Sequence, residues 1–269
     1  MIIALDVGNT NVTVAVVRDG DVTSSRRFPT VAAASADSLE PILDQVLREH
    51  GAALDEVSDI VVASVVPAVA ATLSHLAQQR GIGLLVVDDT TVPIPIRVEH
   101  PAAVGHDRLV NGFAAARLYG TPAIVVDLGT ATTFDVVAAD GAFVGGAIAA
   151  GPGLGLDALA ARTAQLPRVP LAMPPRAIGE DTVSAMQSGA VIGHIGLVAE
   201  LVRAIAAELA IDDGPAPRVI LTGGLSNADW ATAIPGVDAI DPLLTLRGLA
   251  ILHAEQARAS ARTESAAPA

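Results

Sequence analysis

Ala123-Ile124-Val125-Val126-Asp127-Leu128-Gly129-Thr130-Ala131-Thr132-Thr133 is the stretch on which the reading of this chain turns. Its apolar, β-branched start predicts a buried strand, and that strand ends in a carboxylate. Gly129 lets the backbone turn and approach a ligand closely, while the threonines supply hydroxyls and amide donors. A carboxylate at the mouth of such a turn suits a hydrated cation and a phosphate. Ile2-Ile3-Ala4-Leu5-Asp6-Val7-Gly8-Asn9-Thr10-Asn11 repeats the pattern: apolar strand, Asp, apolar residue, Gly, then small hydroxyl and amide side chains. Asp6 and Asp127 stand 121 positions apart in a chain of 269 residues. A motif recurring at nearly half the length predicts two similar domains facing each other across a cleft, each contributing one phosphate loop.

Composition narrows the partners. The net charge of −13 sets Coulomb repulsion against DNA, RNA or anionic lipid, and one Trp, one Tyr and four Phe give little for base stacking. All 16 cationic residues are arginine. Without lysine, a GxxxxGK[ST] phosphate loop and Schiff-base chemistry are both excluded. Phosphates must then be met by a divalent cation, backbone N–H groups, hydroxyls and one or two arginines. With no cysteine, disulfides, thiol catalysis and thiolate metal sites are excluded as well. Asp6 interrupts the N-terminal apolar run and no basic region precedes it, so no secretory signal is read and a cytoplasmic location is expected. Residues 60–79 lack charge but contain Pro67, two serines, His75 and a Gln pair, and they divide into a strand and a helix better than they span a membrane.

In order, strands are expected over residues 1–7, 11–17 and 21–28, a helix over 36–50, a strand over 60–66, a helix opened by Pro67 over 68–79, and a strand over 84–87. Residues 88–106 read as loop and 108–119 as helix. The pattern then restarts with strands over 123–126, 132–137 and 142–149, Asp127 standing in the turn. The run Gly151-Pro152-Gly153-Leu154-Gly155 precedes a helix over 156–163; its third glycine comes too early for a dinucleotide fingerprint. A proline-rich connector over 167–175, helical patterning over 182–209 interrupted by Gly189, Gly193 and Gly196, a strand over 219–222 and a helix over 242–255 complete the chain.

Asp6-Val7-Gly8-Asn9-Thr10-Asn11, Gly105-His106-Asp107-Arg108, Asp127-Leu128-Gly129-Thr130-Ala131-Thr132, Asp181-Thr182 with Met186-Gln187-Ser188-Gly189, and Thr222-Gly223-Gly224 occur in this order at fitting distances. Together, from Met1 to about His253, they resemble the type III pantothenate kinases, members of the superfamily of acetate and sugar kinases, heat-shock chaperone ATPases and actin. The resemblance implies an α/β fold of two RNase H-like domains, each a mixed sheet flanked by helices, around a nucleotide cleft. The domains are expected at 1–117 and 118–257, with a disordered tail over 258–269. It also implies transfer of the ATP γ-phosphoryl group to pantothenate, giving 4′-phosphopantothenate on the way to coenzyme A. Mg²⁺, a monovalent cation (K⁺ or NH₄⁺) and a homodimer with pantothenate near the subunit interface belong to the same expectation; nucleic acid and membrane do not.

Carried over by position, Asp107 matches the family's proton acceptor, and Gly105, His106, Arg108 and Thr182 its acceptor-substrate contacts. Asp6, Val7, Gly8, Asn9, Thr10, Asn11, Val12 and Thr13 match its first phosphate loop, Thr130, Gly223 and Gly224 its further ATP contacts. Asp127 matches the monovalent-cation ligand, and Asp6 stands where a carboxylate orients the Mg²⁺ hydration shell. Each has a plainer reading. Asp107 could cap a helix beginning near Arg108, Arg108 could pair with Asp107 or Glu99, Thr182 could be a helix N-terminal hydroxyl, and a strand-end Asp before Gly could be a turn. His75, His194 and His253 sit in helical patterns, where structural roles are expected, and Trp230 reads as packing. Two positions depart from the family: His106 where a small residue is common, and Val98 where many members carry a tyrosine. The alternatives to a pantothenate kinase are a catalytically silent actin-like regulator and a kinase of the superfamily acting on another small alcohol.

Overall fold

Strand β1 (Ile2–Val7) is buried along almost its whole length, as its apolar run requires. The turn after it sends the chain back as β2 (Asn11–Arg18), antiparallel to β1. Asp19 (φ 54°) and Gly20 (φ 90°) then form the tight hairpin turn that leads to the half-exposed β3 (Asp21–Pro29). On the other side of β1 lies β4 (Asp59–Ser64), parallel to it, and beyond that β5 (Gly83–Val86). Helices α1 (Ala36–Arg48) and α2 (Pro67–Arg80) make the crossovers, so the sheet order is β3-β2-β1-β4-β5. Pro67 takes the first helical position and Gly81 (φ 67°) ends α2 in the left-handed conformation. The uncharged residues 60–79 therefore resolve into strand and helix. The computed structural model describes residues 1–33, 35–210 and 215–265.

The second sheet repeats the first. β6 (Ala123–Leu128) is its central strand, antiparallel to β7 (Ala131–Val137), which pairs with β8 (Phe143–Ala150). On the other side β9 (Arg218–Thr222) and β10 (Ala239–Ile240) run parallel to β6. The order β8-β7-β6-β9-β10 is that of the first sheet, strand for strand. The chain divides into two compact units, Met1–Ala114 with the chain from Leu243 onward, and Ala115–Pro242; the division falls inside α3 (His106–Leu118).

Each unit has its own core. In the first, Ile3, Leu5, Val12 and Val14 pack against Leu39, Leu43 and Leu47 of α1 and Leu73 and Leu76 of α2. In the second, Ile124, Val126 and Phe134 pack against Val191, Val198 and Val202. Those valines belong to one continuous helix, Thr182–Leu209, made of α5 (Thr182–Gln187), a π-helical turn (Ser188–Ile192) and α6 (Gly193–Leu209). By length and composition this helix is apolar enough to cross a membrane; its buried stripe packs on the sheet.

Several boundaries differ from expectation, each for a local reason. Asp127 is the penultimate residue of β6 rather than a turn residue, because the ladder to β7 and β9 continues through it. Helix α3 starts at His106, the Gly105 carbonyl accepting from the N–H groups of Arg108 (3.1 Å) and Leu109 (3.2 Å). Pro152 opens α4 (Pro152–Arg162), so Gly153 and Gly155 are helical. Gly189, Gly193 and Gly196 do not interrupt their helix, since nothing lies within 4 Å of the place where each would carry a Cβ. Helix α7 (Leu244–Ser265) runs through residues 258–265, which were expected to be disordered; Ala, Arg, Glu and Gln are strong helix formers. Residues 266–269 lie outside the described residues. The same helix was expected in the second domain, but it packs on β1, β3 and β4 and belongs to the first unit.

Helix α7 crosses α3 closely at Gly248, where an added Cβ would stand 2.7 Å from Val110 Cγ1 and 2.9 Å from Ala114 Cβ. Beside this crossing the buried Thr245 hydroxyl donates to Asn111 Oδ1 at 2.7 Å. Gly248→Ala should therefore overpack the crossing and cost about 1–3 kcal/mol, whereas Gly196→Ala on the exposed face of α6 should gain about 0.5–1 kcal/mol. Calorimetric Tm reads both; a parental Tm for Gly248→Ala would show that the helices are not in this contact.

Candidate active site

The two sheets build the same turn twice. Asp6 faces Thr13 across the β1/β2 ladder and Ala63 across β1/β4; Asp127 faces Thr133 across β6/β7 and Thr222 across β6/β9. Beyond each aspartate a glycine N–H closes the turn, Gly8 donating to the Asn11 carbonyl at 2.9 Å and Gly129 to the Ala131 carbonyl at 3.0 Å. The first turn is one residue longer. Each turn is then strapped by the residue just after the sheet's third strand. Thr30 N–H donates to the Thr10 carbonyl at 2.9 Å, and Gly151 N–H to the Thr130 carbonyl at 3.0 Å.

The straps were not anticipated from the sequence, and they differ. Buried Thr30 also donates its hydroxyl to the Gly8 carbonyl at 2.6 Å. At Gly151 a Cβ would collide with the Gly129 carbonyl oxygen and reach 2.5 Å from that of Thr130, so only glycine fits. The available signal was position: Thr30 follows Pro29, and Gly151 follows an eight-residue apolar strand.

Gly223 lies flush against the second aspartate. With φ +89° and no room for a Cβ, which would collide with Asp127 Oδ1 and stand 2.7 Å from Leu128 N, this position also demands glycine. Its turn is tied to the end of β6 by Leu225 N–H donating to the Leu128 carbonyl at 3.0 Å, and closed by the buried Ser226 hydroxyl donating to the Gly223 carbonyl at 2.7 Å. Gly224 is exposed in the same turn. Asp127, Thr130, Gly151 and Gly223 thus form one cluster. Of the first-loop residues, Asn9 and Thr10 are exposed and Gly8, Asn11 and Thr13 half-buried, while Val7 and Val12 are buried in the core with their backbones in the ladders. The side chains of those two valines frame the loop from the core side.

Asp107 is the second residue of α3, not its cap. Its Oδ1 accepts from the Arg108 N–H at 2.9 Å, and a carboxylate in the first helical turn is favoured by the helix dipole. Gly105 makes this possible, since a Cβ there would stand 2.5 Å from Asp107 Oδ1. Asp107, Arg108 and His106 are all half-buried, and the buried Nδ1 of His106 has no hydrogen-bond partner.

Thr182 opens α5, but the cap is Asp181, whose Oδ1 accepts from Ser184 N–H at 2.9 Å. That backbone bond, with the Ser184 hydroxyl, holds the Asp181 carboxyl below the usual carboxylate range. Thr182 is exposed and lines a cavity of about 830 Å³ whose walls are mostly apolar, including Leu156, Leu159, Met186 and Leu197. Gly151 and His194 line it too. His194 is buried, its Nε2 2.9 Å from Thr132 Oγ1 and its ring edge-on to Trp230 at 6.2 Å, and burial pushes its pKa down. Among the described residues no three His, Asp or Glu side chains converge as a metal cluster.

The comparisons agree with this architecture. The family model for type III pantothenate kinase matches residues 2–204. A type III pantothenate kinase of Moorella thermoacetica is 42% identical over 255 residues, covering 94% of this chain and 98% of that protein. Another, from Thermomicrobium roseum, is 42% identical over 251 residues, covering 93% and 95%. Among solved structures, the activator of the 2-hydroxyisocaproyl-CoA dehydratase from Clostridium difficile, with bound ADPNP, superposes with a TM-score of 0.53 at 13% identity, over 100% of this chain and 99% of that one. That likeness shows the fold, the one shared by actin-like ATPases and sugar kinases. Matched through most of its length by the family model and by relatives of nearly equal extent, the chain belongs to the type III pantothenate kinases.

Proposed function

We propose that this member of the family phosphorylates pantothenate with ATP, using Asp107 as the proton acceptor. The observation that carries the assignment is the seating of that carboxylate: half-buried, in the first turn of α3, over a glycine that leaves room for no side chain. In the reaction the primary hydroxyl of pantothenate attacks the γ-phosphorus in line. The new O–P bond forms as the bond to the ADP oxygen breaks, and the hydroxyl proton passes to Asp107. Arg108, a rigid cationic fork, stabilises charge on the transferring group, and Thr182 contacts the acceptor. The turns at Gly8 and Gly129 replace the missing lysine with backbone N–H groups and hydroxyls.

The donor set suits cations that keep much of their water. With no cluster of three His, Asp or Glu side chains among the described residues, Asp6 orients the hydration shell of Mg²⁺, and Asp127 with neighbouring oxygens holds K⁺ or NH₄⁺. When bound, these cations neutralise phosphate charge. The exposed apolar residues Ile148, Leu154, Leu159, Met173, Ile178 and Val183 of the second unit support a homodimer, and the family's small water-soluble substrates support a cytoplasmic setting.

Three measurements test this reading. ADP release from MgATP should require pantothenate, and Asp107→Asn should lower turnover by about 10²-fold while leaving ATP affinity nearly intact; undiminished turnover removes Asp107 from the role. Release should also require K⁺ or NH₄⁺ over Na⁺ alone, and Asp127→Ala should abolish or weaken that requirement together with activity. A fully cation-dependent Asp127→Ala enzyme contradicts the ligand assignment. Light scattering at micromolar concentration should give the mass of two chains; an active monomer refutes the shared interface.

A further inference from the structure

His194 occupies a position where the packing calls for an apolar side chain. Val191, His194, Val198 and Val202 form one buried stripe along the helix, and its three valines are core residues. A buried imidazole there costs stability unless it is hydrogen-bonded, and its bond is to the Thr132 hydroxyl, 2.9 Å away and itself fully buried. A hydrogen bond between two such groups adds little net stability over an apolar pair of the same shape, so stability alone does not account for it. The residues on either side of this bond are those of the candidate site.

On the strand side, Thr132 is the second residue of β7 and pairs directly with Leu128. Between those partners lies only Gly129-Thr130-Ala131, closed by the Gly129 N–H to Ala131 carbonyl bond and strapped by Gly151. A shift of Thr132 therefore moves the turn. On the helix side, His194 comes two residues after the π-helical turn Ser188–Ile192. Such a turn holds one residue more than an α-helical turn, which rotates the remainder of the helix by about 100°. That rotation sets His194 into the stripe below Thr132. Burial keeps the imidazole neutral, with one nitrogen to donate and one to accept. The same helix carries Thr182, and His194, Gly151 and Thr182 all line one cavity.

We propose that His194 is a positioning residue: through the Thr132 hydroxyl it fixes the Gly129-Thr130 turn against the helix that carries Thr182, and so sets the affinity for the nucleotide. The proposal rests on the reading of that turn as an ATP contact, and it is tested on binding as well as turnover. Calorimetric titration with MgATP should show about tenfold weaker binding for His194→Phe, which fills the space without the hydrogen bond. His194→Gln, which keeps a polar atom toward Thr132, should recover to within about threefold. KM for ATP should move in parallel while KM for pantothenate stays within about twofold. Thr132→Val should weaken ATP binding to the same degree, and the double variant His194→Phe/Thr132→Val should be no worse than either single one. Folding is read from far-ultraviolet circular dichroism, since Trp230, the chain's single tryptophan, lies against the His194 ring and its emission would respond to the substitution itself; should His194→Phe not fold, Thr132→Val and His194→Gln carry the test. Parental ATP affinity in folded His194→Phe or Thr132→Val, or equal losses in His194→Phe and His194→Gln, overturns the proposal. ATP binding that responds as described in a protein showing no pantothenate-dependent ADP release upholds it while removing the functional reading instead.

Discussion

The interaction on which both halves of the chain depend is a backbone hydrogen bond: the N–H just after the third strand of each sheet, given to a carbonyl of the turn after the first strand. Hairpin turns are ordinarily free to flex, because little beyond their own ladder restrains them. Thr30 to Thr10 and Gly151 to Thr130 remove that freedom. They tie the turn to the edge of its own sheet, so that strand pairing, rather than side-chain packing, sets the direction of the amide groups beyond Asp6 and Asp127. The five-strand order common to both sheets is what delivers the strapping residue to the same place each time.

From that shared frame the two copies diverge. In the first, the Thr30 hydroxyl takes up a second turn carbonyl, that of Gly8, and the extra residue leaves Asn9 and Thr10 exposed. In the second, glycines press on the turn from both sides, Gly151 on the carbonyls and Gly223 on Asp127. The first loop is held by a side chain and offers side chains; the second is enclosed by bare backbone.

What was legible in the sequence came from period and charge. The β-branched runs ending in Asp6 and Asp127, and Pro67 dividing residues 60–79, each state a local preference that nothing in the fold contradicts. The misreadings arose where a tertiary contact decided. The glycines of α4 and α6 look like breakers but sit where there is open space, while nothing in the sequence around Gly151 and Gly105 tells of the turn and the carboxylate that cramp them. The start of α3 depended on which carbonyl received the Arg108 and Leu109 amides. The length of α7 was hidden by an Ala- and Arg-rich composition that serves a helix as well as a tail. The Thr30 and Gly151 straps, and the Thr132 to His194 bond across 62 positions, join residues far apart in sequence that no local pattern connects.

An acidic, lysine-free chain that handles a polyphosphate also raises a question of range. At physiological ionic strength the Debye length is about 8 Å, so the net charge of −13 acts on approach and little on a ligand already seated. Four of the surface arginines, Arg26, Arg80, Arg176 and Arg203, are each already paired with a glutamate. Beside the proposed roles of Arg108 and the bound cations, each unit offers a fixed dipole at contact distance: the strapped amides of its own turn. Dipoles of this kind lose their value if the backbone must reorganise to aim them. On the proposed reading, therefore, the rigidity of each turn takes the place of the mobile lysine of other phosphate loops, and the glycines and straps that enforce it count with the proposed binding groups.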